Sequence, residues 1–243
     1  MPIDYTRKPS TPSTPTPSTP TPSNPAPGTP AVSLSKVTLS KSAPSISLTK
    51  SGEKQGAMRV NLNWSSGADA PQPKKKGFLA KLAAASYGSG GVDLDLGCLY
   101  ELADGSKGVI QALGNSFGAI DKAPYIALDG DDRSGTVTGG ENMHINLARP
   151  ELFKRILIFA MIYDGAPNWA AVDGVVTLFP TSGPQVEVKL DSASNSARIC
   201  AIALLENGKQ GITVTRQVEY IQGSQSDLDK KYGWGMQWAA GRK

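Results

Sequence analysis

Residues 155–168 read RILIFAMIYDGAPN, a short apolar run that passes straight into a turn. Such a run fits either a strand buried on both faces or one buried helix. Its length favours the strand, and the Asp-Gly and Pro-Asn signals that follow leave no room for further helical turns. VVTLF (175–179) and RICAIALLE (198–206) repeat the same texture.

Outward from these runs the pattern changes to alternation. VSLSKVTLS (32–40), ISLTK (46–50), MRVNLNW (58–64), VDLDLGCLYEL (92–102), MHINL (143–147) and VEVKL (186–190) each place apolar side chains on every second residue. A period of two describes half-buried strands. Turn signals at ADGSKG (103–108), DGDDRSG (129–135), SGP (182–184), DSASN (191–195) and ENGKQG (206–211) separate them. Roughly a dozen strands at this spacing predict an all-β antiparallel sandwich rather than βαβ units.

Residues 1–31 are of another kind. Ten of the chain's 18 prolines precede Ala31, and TPSTPTPSTPTPSNPAPGTP (11–30) holds no large apolar side chain. It cannot bury enough surface to offset its ordering entropy, so a disordered, extended Pro/Ser/Thr-rich tail is expected ahead of a domain spanning 32–243. A basic, glycine-flanked insertion occupies 70–91. Its segment Lys74–Tyr87 suits a solvated loop, with weak contact to an anionic membrane as the alternative.

Lys74, Lys75, Lys76 and Lys81 account for the whole net charge of +4, so the remainder is neutral. Nucleic-acid binding, which needs a broad basic face, is not expected. No stretch approaches ~18 consecutive apolar residues and MPIDYTRKPS lacks a secretion signal's apolar core, so a cytoplasmic location is expected. In that compartment Cys98 and Cys200, each inside an apolar run, read as reduced core thiols.

Gly114-Asn115-Ser116-Phe117-Gly118 matches the G-x-S-x-G of a hydrolase elbow. An elbow must feed a helix on a parallel sheet, whereas this one reaches Pro124 almost at once. The single histidine, His144, alternates with Met143 and Ile145 on the outer side of a predicted strand. The motif is therefore read as a turn and the chain as no enzyme.

Acidic residues are the stronger signal. Asp129, Asp131 and Asp132 crowd one turn that ends at Glu141, and Asp93 with Asp95 share one face of the strand 92–102. Crowded carboxylates need a cation or a basic partner to offset their repulsion, and Ca²⁺ accepts irregular sets of oxygen ligands. The loop is not an EF-hand: with Asp129 first, Ser134 stands where glycine is needed and Gly140 where the bidentate glutamate belongs. Spacing alone leaves metal binding level with a solvated turn paired to Arg133.

Taken together, VNLNW (60–64), VDLDLGCLYEL (92–102), QALGNSFG (111–118), PYIALDGDDRSG (124–135), GENMHINL (140–147), RILIFAMIYDGAPNW (155–169), CAIALLENG (200–208) and YGWGMQW (232–238) resemble the tellurium-resistance TerD superfamily, nearest to its TerA-like branch. The resemblance implies a β-sandwich that binds Ca²⁺ in loops at one end. It also implies a role in tellurite resistance and stress response, and a place beside related proteins in a complex linked to the inner membrane face, without enzymatic activity. Carried over by position, Asp93 and Asp95 fall on the family's first acidic strand, Asp131 and Gly135 in its Asp-rich loop, and Glu141 on the closing glutamate. Gly139 and Gly140 stand where other members carry further aspartates.

The combined expectation is a calcium-binding interaction module. Its ligands are Asp93, Asp95, Asp129, Asp131, Asp132 and Glu141, with carbonyls of Gly130 and Gly139. A metal-independent module for sugar or peptide is the alternative. Trp64, Trp169, Trp234 and Trp238 are expected to pack at the ends of the sandwich.

Overall fold

The run that opens at Arg155 is a strand, and it lies where a strand without a polar face must lie, in the middle of a sheet covered on both sides. The computed structural model describes residues 36–48, 55–65, 92–130, 139–209 and 211–239. The tail, the basic insertion and the segment 131–138 with Asp131 and Asp132 fall outside these residues.

In chain order the strands are β1 (Lys36–Thr38), β2 (Ser45–Ser47), β3 (Ala57–Asn63), β4 (Asp93–Leu102), β5 (Lys107–Ile110), β6 (Gly118–Ala119), β7 (Ile126–Leu128), β8 (Glu141–Asn146), β9 (Phe153–Asp164), β10 (Gly174–Phe179), β11 (Gln185–Leu190), β12 (Ala197–Gly208) and β13 (Gly211–Gln222). One helix, α1 (Gln225–Tyr232), follows them. The strands form a sandwich of two sheets, ordered β1-β11-β10-β3-β8-β7-β6 and β2-β13-β12-β9-β4-β5. Their pairings are antiparallel except for β1, which runs parallel to β11 with Lys36 opposite Gln185.

The first sheet keeps the alternation read from sequence. On β8, Glu141, Met143 and Ile145 are buried while Asn142, His144 and Asn146 are partly exposed. The second sheet is apolar on both faces. From β9, Ile156, Ile158, Ala160 and Ile162 enter the core between the sheets. Leu157 and Phe159 turn to the other side and meet Leu228 of α1 and Trp234. Each such side chain contributes about 1.5–3 kcal/mol by burial, which is why the run carries no polar position to solvate an outer face. Gly97, opposite Phe159, is required by this packing: a Cβ there would stand 2.5 Å from the Phe159 ring.

The helix and the chain after it are pinned to the sheet by polar contacts. Arg155 stacks over the Trp234 ring at 3.9 Å and donates to the carbonyls of Tyr232 and Gly233, each at 3.1 Å. Its Nε donates to Glu101 Oε2 at 2.7 Å, and Lys154 donates to Oε1 at 2.7 Å. Burial alone would raise the Glu101 carboxyl, but the bonds and charge of Lys154 and Arg155 outweigh it and hold the group below the ordinary carboxylate value.

Cys98 and Cys200 are free, buried thiols, and burial raises both well above an ordinary cysteine. All four indole N–H groups are spent, on the carbonyls of Val92, Ala197 and Tyr100 and on the Asp229 carboxylate. Trp234 and Trp238 depart from the expected sandwich end: Trp234 is buried in the cluster on the outer side of the second sheet, and Trp238 packs against that cluster. Among the described residues no helix is long and apolar enough to cross a membrane.

Candidate metal site

Two of the predicted acidic residues enter on β4. Leu94 and Leu96 point into the core between the sheets, so alternation turns Asp93 and Asp95 to the opposite face, the one Asp95 shares with its cross-strand neighbour Met161. Both are nearly enclosed, at 7% and 2% exposure. Trp64, donating to the carbonyl of Val92 at 3.1 Å, closes over the start of this strand.

Glu141 arrives from the other sheet. It is the first residue of β8, points inward and is 3% exposed. Its Oε2 accepts a hydrogen bond from the Leu96 backbone N–H at 2.6 Å, at the edge of β4 that lies beyond the reach of β5. The contact sets the Glu141 carboxylate beside the Asp95–Leu96 peptide. Asp93, Asp95 and Glu141 therefore lie at one end of the sandwich, but on opposite faces of β4: the two aspartates on the outer side, the glutamate on the side of the core.

Gly140 makes that arrival possible. Its φ is +60°, and a Cβ would stand 2.1 Å from the Leu62 carbonyl oxygen. Only glycine lets the chain turn this close to β3 and deliver Glu141 to the inner side.

Two of the other expected ligands among the described residues turn outward. Asp129 is exposed, and its Oδ2 meets His144 Nε2 at 3.1 Å on the outer side of β8. The Gly139 carbonyl accepts from Asn61 Nδ2 at 2.5 Å, and Asn61 also reaches Asn142 Oδ1 at 3.1 Å, again on the outer side. The physical reason is register: Leu128 pairs with Met143, which leaves Asp129 level with Asn142 and free to fall outward. Gly130 is half-buried, and among the described residues nothing but its chain neighbours comes within 4 Å of where a Cβ would stand. Among the described residues, no group of three or more His, Cys, Asp or Glu side chains stands close enough together to hold a metal ion.

The hydrolase motif is accounted for as a turn. Ser116 Oγ donates to the Val109 carbonyl at 2.7 Å, and His144 is engaged with Asp129.

The chain is 44% identical to the tellurium resistance protein TerA of an Alcaligenes species over 201 residues, 82% of its own length. It belongs to the TerD-like family of tellurium-resistance proteins. It spans 56% of that relative's length. A solved homologue of the telluride resistance protein TerD from Streptomyces coelicolor A3(2) is 17% identical, covering 72% of this chain and 95% of that one with a TM-score of 0.44. A solved protein of unknown function is 14% identical, covering 76% of this chain and all (100%) of that one with a TM-score of 0.48. No protein-family model matches the chain.

Within this TerD-like chain the donor set at the end of β4 is made of carboxylates alone, without sulfur or imidazole. Such hard oxygen donors suit Ca²⁺ and are a poor match for zinc or copper.

Proposed function

We propose that the chain is a calcium-binding interaction module of tellurium resistance, acting by binding rather than by catalysis. The observation that carries this reading is the burial of Asp93, Asp95 and Glu141 at one end of the sandwich, with Glu141 drawn across from the opposite sheet to β4. Three carboxylates nearly withdrawn from water are costly to keep charged, and a divalent cation offsets that cost better than solvent can. In this reading Asp131 and Asp132, in the adjoining segment, complete the oxygen shell, and Gly130 adds a carbonyl. When bound, calcium would supply fixed positive charge that joins the acidic strand to the loop, setting the surface offered to partners.

Support for the setting comes from the relative's own name, tellurium resistance protein TerA. The partners proposed are other tellurium-resistance-type proteins in a complex at the inner membrane face, with Lys74–Tyr87 as a weak contact to anionic lipid. Isothermal titration of Ca²⁺ into the chelator-stripped full chain tests the central claim. Saturable heat is expected, abolished by Asp95→Asn and by Glu141→Gln. An unresponsive parent chain would end the calcium reading.

A further inference from the structure

Two clefts lie side by side on the outer side of the second sheet, between the edge strand β5 and the chain that follows α1. Their volumes are about 570 and 450 Å³, within the range of small-ligand sites. Trp238, half-buried, lines both. Its indole N–H is tied to Asp229 Oδ2 at 3.0 Å, so the ring is fixed by its edge.

The polar groups in the larger cleft are amides and hydroxyls, already ordered. Gln111 and Gln225 are each 7% exposed, and Gln225 Nε2 donates to Gln111 Oε1 at 3.1 Å. That bond commits one half of each amide and leaves the other halves, a donor on Gln111 and an acceptor on Gln225, in side chains that line the cleft. Gln237 stands exposed at the rim shared by both clefts. Little side-chain entropy remains to be lost at Gln111 and Gln225 on binding.

Charge and backbone chemistry narrow the ligand. Among the described residues lining the clefts the one cation is Lys107, whose ammonium donates to the Trp234 carbonyl at 2.7 Å. The α1 N-terminus, which forms part of the wall, is capped by the Asp227 carboxylate accepting from Ser224 N–H at 2.9 Å. A phosphate or carboxylate would meet negative charge there. An extended peptide adding to β5 would need the outward carbonyl of Val109, but Ser116 Oγ already occupies it at 2.7 Å. What fits is a neutral ligand with hydroxyls, which serve as donor and acceptor at once, and a C–H face to lie on an aromatic ring.

We propose that this double cleft binds a neutral oligosaccharide, with Trp238 as the stacking platform between two sugar subsites and Gln111, Gln225 and Gln237 as hydroxyl partners. The described lining contains none of the carboxylates of the candidate metal site, and the binding needs no metal.

The test is titration of the ¹⁵N-labelled full chain with maltotetraose, cellotetraose, mannotetraose and chitotetraose, following the tryptophan indole N–H resonances in EDTA and again in Ca²⁺. The Trp238 resonance is identified by its loss in Trp238→Phe. At least one saccharide is expected to shift it saturably and with equal affinity in both buffers, so the result stands whichever way the calcium titration falls. Measured by isothermal titration of the saccharide that responds, Gln237→Ala, at an exposed position, should weaken binding about 3-fold and Trp238→Ala at least ~10-fold. Silence of that resonance toward the whole panel overturns the proposal, and so does a titrated affinity that Gln237→Ala and Trp238→Ala leave unchanged. A response only to a synthetic peptide of residues 11–30 overturns it in favour of peptide binding.

Discussion

At Gly140 one methyl group decides whether Glu141 reaches β4, because its Cβ would stand 2.1 Å from the Leu62 carbonyl oxygen in a backbone already at φ +60°. Gly140→Ala should cost about 2 kcal/mol or more, read as a lower urea midpoint at unchanged slope. Glu101 gives a second prediction, in pH. Its folded carboxyl is held below the ordinary value despite burial, by Lys154 and Arg155. The stability this adds is present above the unfolded carboxylate range and is lost as pH falls through the lower folded value. Glu101→Gln should therefore destabilise the chain at neutral pH by about 1–3 kcal/mol, and parent and variant should converge in acid, as followed by denaturation from pH 7 downward. Glu101 was present in VDLDLGCLYEL, yet its partners come some fifty residues later, and no local pattern links them. Asp93, Asp95 and Glu141 were legible as acids in strands. The outward fall of Asp129 and of the Gly139 carbonyl was not, because it depends on how β7 registers against β8.

Among the elements, the chain after α1 is fastened by a carboxylate of the helix itself as well as by Arg155. Asp229 accepts from the backbone N–H groups of Gly235 and Met236 at 2.8 and 2.9 Å and from the Trp238 indole at 3.0 Å. Asp229→Ala should loosen residues 235–238, costing about 2–4 kcal/mol and shifting tryptophan emission to the red as Trp238 meets water, while Arg155 and the Tyr100 carbonyl keep Trp234 in place. Ser224→Ala, which removes only the cap, should cost about 1 kcal/mol and leave the emission in place. The helix had a sequence signature in Ser224 and Asp227, spaced as a capping box, with Gly233 at the far end in the left-handed conformation. At eight residues it is too short for periodicity to announce it. β13 was equally silent for a different reason. Val218 at φ +45° and a register shift opposite Ala201 and Ala203 interrupt its alternation midway. β9 was readable because two covered faces impose apolar residues at every position, a demand no other strand context makes.

Across the whole molecule, the end where Glu141 crosses to Leu96 is a place where the two sheets touch through a charged group rather than through packed hydrocarbon. A cation held there would bind the folded chain and not the unfolded one, since Glu141 reaches β4 only after both sheets have formed. Such binding stabilises by an amount set by concentration over Kd, about 2.7 kcal/mol at a hundredfold excess over Kd. Calcium should therefore raise the melting temperature in a dose-dependent, saturating way. Magnesium at equal concentration should do much less, because it demands near-octahedral geometry and gives up its water reluctantly. Glu141→Gln, which keeps the shape of the side chain and an oxygen for Leu96 N–H, should abolish the calcium increment without collapsing the fold. Equal shifts from both ions, or a calcium shift that survives Glu141→Gln, would mean that divalent ions act on this chain by general screening of charge and not at the junction of its sheets.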